Sequence, residues 1–176
     1  RWHQRFPPLS PGPRTLATMS FDWWIGSGVL FGGRRAGQLF GDTWEWNGAT
    51  WTQHGSGPAP TAGAASAFDL TRGRTVLFTP SGDTWTWTRS GGWQHHLTAV
   101  APNGAFGGAM CFDPLLDRVL LYGGEPGNSG LWAWDGATWR AIAASSAPGA
   151  RSRCGLTYDL ARRRTLLYGG LNLAAS

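Results

Sequence analysis

The chain repeats itself. Phe21-Asp22 returns as Phe68-Asp69, Phe112-Asp113 and Tyr158-Asp159, at intervals of 47, 44 and 46 residues. Self-similarity at such a period restricts the fold to arrays in which each unit buries its apolar side against the next. A second phrase follows each first one: Val29-Leu30-Phe31-Gly32-Gly33, Val76-Leu77-Phe78-Thr79-Pro80, Leu120-Leu121-Tyr122-Gly123-Gly124 and Leu166-Leu167-Tyr168-Gly169-Gly170. The second copy lacks the glycines.

A third phrase reads Asp42-Thr43-Trp44-Glu45-Trp46, Asp83-Thr84-Trp85-Thr86-Trp87 and Gly130-Leu131-Trp132-Ala133-Trp134. Alternation puts both indoles of Trp-x-Trp on one strand face. A short Gly-containing turn, such as the hairpin signals Asn47-Gly48 and Asp135-Gly136, leads to a lone Trp at 51, 93 or 139. Each period therefore predicts four antiparallel strands, which is one blade of a β-propeller. The first strand of each period, placed at 15–20, 62–67, 106–111 and 152–157, is built mostly of small residues that suit a crowded axis. The Trp series is expected to fill the space between blades, each buried ring removing about 150–250 Å² from water. With 12 Trp, 27 Gly and 11 Pro among 176 residues the chain is expected to be all-β, and 41% apolar content is ample for a core.

In the di-glycine, the following Trp-x-Trp and the later lone Trp, the chain resembles the Kelch family, specifically its bacterial and galactose-oxidase-like repeats, over nearly its whole length. The resemblance implies a Kelch-like β-propeller of four-stranded blades, with a binding site commonly placed on one face. It leaves the activity open, because Kelch propellers include adaptors, actin binders, sugar-acid isomerases and copper oxidases. It also implies an exported, extracellular or cell-surface protein.

Within a single domain spanning 1–176, residues 1–10 read as an outer strand of a split blade. Blades follow at 11–57, 58–101 and 102–147, with a partial fourth at 148–176. An open propeller exposes strand edges and an apolar flank. Closure within the chain, self-association between two chains, and a longer polypeptide are the three expected solutions.

The net charge is +5, and every basic residue is Arg. These arginines recur at turn positions instead of concentrating on one segment, which argues against nucleic acid as a partner. No stretch is apolar enough to span a bilayer. Cys111 and Cys154 occupy different places in the repeat, so no disulfide framework is predicted. Of the four His, only His95-His96 are adjacent, and strand neighbours point to opposite faces, so no metal site is expected. Tyr122, Tyr158 and Tyr168 fall at core positions of the repeat, which weakens a copper-radical site. No cofactor and no catalytic residue set is assigned.

Two candidate sites remain. Arg14 and Arg151 occupy matching positions before their first strands, and with Arg34, Arg35 and Arg153 they could fork around a carboxylate or an anionic sugar. Alternatively, Arg14 and Arg151 are scaffold residues bonded to loop carbonyls. Loops after the second strand, 34–40 and 125–129 against the near-absent one at Ser81, vary most and mark this face for recognition. On the other face Trp23 and Trp24 stand where other repeats carry Leu70-Thr71 or Leu160-Ala161, exposed for a sugar or protein, or else covered by a neighbouring segment. The turn Asp residues read as local amide caps, and Arg72, Arg74, Arg118 and Arg162 to Arg164 as solvated hairpin tips. The function expected is non-catalytic binding or assembly on a protein or glycan partner. The alternative is a carbohydrate-active oxidase, lyase or isomerase with its site at the channel mouth.

Overall fold

A computed structural model describes residues 3–55, 57–125, 130–143 and 148–172. The described chain is all-β, and none of it forms a helix long and apolar enough to cross a membrane. The first repeat forms β1 (Thr18–Asp22), β2 (Ser27–Phe31), a short excursion β3 (Arg34–Arg35) and β4 (Gln38–Leu39), then β5 (Thr43–Trp46) and β6 (Trp51–His54). The second forms β7 (Ala65–Asp69), β8 (Arg74–Phe78), β9 (Thr84–Thr88) and β10 (Gly92–His96), and the third β11 (Ala109–Asp113), β12 (Arg118–Tyr122), β13 (Leu131–Trp134) and β14 (Trp139–Ile142). The last contains β15 (Arg151–Ser152), β16 (Gly155–Asp159), β17 (Arg164–Tyr168) and β18 (Leu171–Asn172).

Three four-stranded antiparallel sheets result, ordered β1-β2-β5-β6, β7-β8-β9-β10 and β11-β12-β13-β14. A β16-β17 hairpin and a separate β15-β18 pair follow. Consecutive first strands β1, β7, β11 and β16 pack side by side, an arrangement that fits a propeller-like array. The second and third sheets share the main core, where Val76 and Phe78 meet Val119, Leu121, Trp134 and Trp139.

The sheets are latched by a repeated contact. The Trp93 indole N–H donates to Thr43 Oγ1 at 2.8 Å, and its ring meets Phe31 edge-on at 5.1 Å. One sheet further, Trp139 donates to Thr84 Oγ1 at 2.7 Å and meets Phe78 at 5.3 Å. Apolar burial supplies most of the attraction, and the satisfied indole N–H removes the penalty for placing a donor there.

The first strands begin three residues later than the small-residue run suggests. Leu16, Gly63, Gly107 and Arg153, equivalent in the repeat, all take a left-handed φ between 57° and 76°, which turns the chain before pairing begins. These residues also join one repeat to the next: Gly63 N–H donates to Leu16 O at 2.9 Å, Gly107 to Gly63 O at 2.8 Å, and Arg153 to Gly107 O at 2.6 Å. Tyr168 is likewise not core, being 88% exposed. Its counterparts Phe31 and Phe78 are covered by Trp93 and Trp139 of the following sheet, whereas no described residue occupies the corresponding place beside Tyr168.

Candidate functional site

The arginine set does not converge. Arg14, with only 6% of its side chain exposed, donates to Gly12 O and Gly32 O and forms a bidentate pair with Asp42 at 2.6 and 2.9 Å. Arg151 repeats the two carbonyl contacts, donating to Gly149 O and Gly169 O, each at 3.1 Å. Both are scaffold residues that hold their own loop entry against the glycine turn of the same repeat. Burial alone would oppose ionisation of Asp42, but the hydrogen bonds from Arg14 and Trp44 hold its carboxyl below the usual range. Arg34 and Arg35 lie exposed on the β3-β4 excursion, and Arg153 stands over Phe106 with Glu125 at 3.7 Å. Residues 126–129 of the third repeat's variable loop lie outside the described residues.

The histidines also diverge. His95 stacks on Trp85 at 4.4 Å, while His96 meets Trp134 edge-on from the opposite face of β10. His54 Nε2 donates to the Glu45 carboxylate, which is buried and paired with Arg89 across the sheet boundary. Although burial opposes ionisation of Glu45, the Arg89 and Ser27 contacts keep it below the usual carboxylate range.

The opposite face brings apolar residues together. After each repeated Asp the next residue is Trp23, Leu70, Pro114 or Leu160, and these four stand around a recess of about 510 Å³ between the first strands. Its walls include Met19, Phe21, Phe68, Met110, Phe112 and Leu156 of β1, β7, β11 and β16, with Ser20, Ser66, Thr157 and Tyr158 among them. Alternation puts Met19 and Phe21 on one side of β1, as it puts Leu156 and Tyr158 on one side of β16, and Trp23 and Leu160 follow in the turns. The turns are held open by Asp caps. Asp22 Oδ1 accepts from the amides of Trp24 and Ile25, Asp113 from Leu115 and Leu116, Asp69 from Arg72, and Asp159 from Arg162. A capped turn leaves the residue after Asp free of backbone duties, so its side chain projects at the rim.

Trp23 and Trp24 separate here. Trp24, though 64% exposed, donates its indole N–H to Leu70 O at 3.0 Å and lies over Gly73, where any Cβ would strike its ring. It is a bracket between the first two sheets. Trp23 is 68% exposed, touches Phe21 edge-on at 4.9 Å, and donates no hydrogen bond among the described residues. It is the indole available to a ligand, with Leu160, 76% exposed, standing on the last of the four turns.

Arg72 and Arg74 are not solvated tips. Arg72 spans Asp69 at 3.2 Å and Asp117 of the next repeat at 2.9 Å, and Arg74 donates to Gly136 O at 3.0 Å. A long side chain at a turn reaches the neighbouring turn in a stacked array, and an Arg fork satisfies carbonyl and carboxylate alike. The apolar ring was missed in the sequence because Trp, Leu, Pro and Leu look unlike one another. The signal was their common offset from the repeated Asp. Compared with known proteins, the chain matches no family model and no curated protein.

Proposed function

We propose that the chain is a Kelch-like propeller, or part of one, and that it binds a protein partner non-covalently through the apolar turn face. The observation that carries this reading is the exposed apolar band on four successive turns, with Trp23, Leu70 and Leu160 at the recess and Leu115 and Leu116 on the third turn beyond it. Soluble proteins rarely leave contiguous apolar surface uncovered, and such patches mark interaction sites. An aromatic beside a pocket is the usual anchor of an interface. A carbohydrate-active centre would need charged or catalytic polar groups converging at the channel mouth, whereas the recess walls are mainly apolar, with Ser20, Ser66, Thr157 and Tyr158 the polar members, and Arg14 is committed to Asp42.

A peptide display library selected on the whole chain tests the reading. Selected peptides are expected to lose at least tenfold in affinity on the Trp23→Ser, Leu160→Ser double variant, a loss of about 1.4 kcal/mol, with circular dichroism unchanged. They are expected to keep their affinity on Arg35→Ala. Selection of no peptide, or unchanged affinity on the double variant, overturns it.

A further inference from the structure

We propose that a second copy of this chain seats its first repeat on the free flank of the last hairpin, so that Tyr168 and the Gly169-Gly170 turn of one copy receive Trp51 and the Arg14 carbonyl of the other. The contact is independent of the turn-face binding role proposed above. Its stoichiometry of two rests on the propeller reading.

The interface is one the chain already builds within itself. Val76 and Phe78 are buried where they meet Leu121, Trp134 and Trp139 of the next repeat. In the last hairpin Leu166 and Tyr168 hold the places of Val76 and Phe78, and both are exposed. In the first repeat Leu30, Trp46 and Trp51 hold the places of Leu121, Trp134 and Trp139, and all three are only half-buried. Trp51 meets Trp46 at 5.3 Å and 45°, as Trp139 meets Trp134 at 5.5 Å and 45°. Its indole thus already holds the pose with which Trp139 covers Phe78. The Trp93 and Trp139 indoles donate to Thr43 and Thr84 of the preceding repeat, whereas that of Trp51 donates to none of the described residues. One flank lacks its cover and the other lacks what it covers.

The backbone repeats the match. Gly33 and Gly124 donate to Thr61 O and Arg151 O, the entry carbonyls of the following repeats, at 2.8 and 2.9 Å. Those carbonyls come so close that a Cβ on Gly32 would lie 2.6 Å from Thr61 O, and a Cβ on Gly123 would strike Arg151 O. Gly169 and Gly170 hold the same left-handed turn, with φ of 70° and 89°. Yet a Cβ on Gly169 would meet nothing within 4 Å, and the Gly170 amide donates to no carbonyl among the described residues. Arg14 stands at the entry position of Thr61 and Arg151, and its carbonyl accepts from no amide among the described residues. An unpaired donor on one flank therefore has its acceptor on the other, at the register the chain uses twice. The two flanks differ, so the contact is heterologous, and such contacts form rings when the rotation closes. Four repeats from each of two copies make eight, within the range of closed propellers.

Sedimentation velocity of the whole chain tests the proposal. The wild type is expected to run at twice the mass of one chain and to grow no further as concentration rises. Gly169→Ala is expected to weaken the association by at least about tenfold, because its Cβ meets the incoming Arg14 carbonyl and parts it from the Gly170 amide. Gly26→Ala, at a left-handed φ of 66° with nothing within 4 Å, carries the same strain away from the flank and is expected to leave the association unchanged. Tyr168→Asp and Trp51→Asp block opposite flanks. Each alone is expected to be monomeric with an unchanged circular dichroism spectrum, and their equimolar mixture to recover a two-chain particle, since each brings the flank that the other lacks. A monomeric wild type, an association that Gly169→Ala leaves as strong as Gly26→Ala does, or a mixture of the two folded Asp variants that stays monomeric overturns the proposal. None of these results alters the peptide affinities that test the turn face.

Discussion

Single residues carry the joints between sheets. Trp139 is 2% exposed, and its indole N–H has one acceptor, Thr84 Oγ1. Thr84→Val keeps the shape of the site and strands that donor, so unfolding by urea is expected to show a loss of about 1–3 kcal/mol. Trp139 was legible as a core residue from its recurrence, whereas its equivalents Trp51 and Trp93 are only half-buried. Its threonine partner was not. Thr43 and Thr84 stand in the Trp-x-Trp phrase like ordinary strand residues, and only the stacking of sheets shows that each receives an indole from the next repeat. Trp23 and Trp24 illustrate the same limit: adjacent, identical and exposed, they part only because Gly73 lies under one of them.

At the scale of the element, the di-glycine after the second strand follows from close backbone approach on two sides, the next repeat at Gly32 and Gly123 and the repeat's own first-strand entry at Gly33 and Gly124. Gly33 and Gly124 hold φ of 99° and 113°, and their amides donate to Thr61 O and Arg151 O at 2.8 and 2.9 Å. A Cβ on Gly124 would lie 2.5 Å from Ala105 Cα. Gly124→Ala is therefore expected to lower stability by at least ~2 kcal/mol, combining left-handed strain with a backbone clash. Gly12→Ala, where a Cβ would meet nothing within 4 Å, is expected to stay within ~0.5 kcal/mol of the parent. Thermal denaturation of the two variants checks the contrast. The second repeat shows the rule by its exception: with Thr79-Pro80 in place of the glycines, Thr79 closes its own turn by donating to Asp83 O at 3.0 Å. The four-strand order of each sheet was legible from phrase spacing. The late start of the first strands was not, because Leu16 and Arg153 give no warning of a left-handed backbone.

For the whole molecule, pH acts from two sides. Asp42, Glu45, Asp117 and Asp135 are held below their ordinary values by hydrogen bonds and guanidinium neighbours. The unfolded chain therefore takes up protons first on acidification, and stability is expected to fall as pH drops through and below about 4. Asp22, which burial raises, works against this trend. On the alkaline side, burial pushes the Cys111 thiol up to about 12 from an ordinary 9.0. The folded chain keeps a proton that the unfolded chain releases, so this group's contribution is full below pH 9 and is lost between 9 and 12, by at most about 1.4 kcal/mol per unit. Denaturant melts of wild type and Cys111→Ala across that range are expected to show a shallower decline in the variant.

The backbone bonds that tie Leu16 to Gly63, Gly63 to Gly107 and Gly107 to Arg153 all run one way, each amide reaching back to the carbonyl before it. The arc therefore has a sense, like a row of people each with a hand on the shoulder in front. Its leading member can only offer an amide and its trailing member only a carbonyl. Any unit that continues this ladder joins in the same sense, amide to carbonyl, whereas a head-to-head union would set amide against amide or carbonyl against carbonyl and leave that rung unbonded.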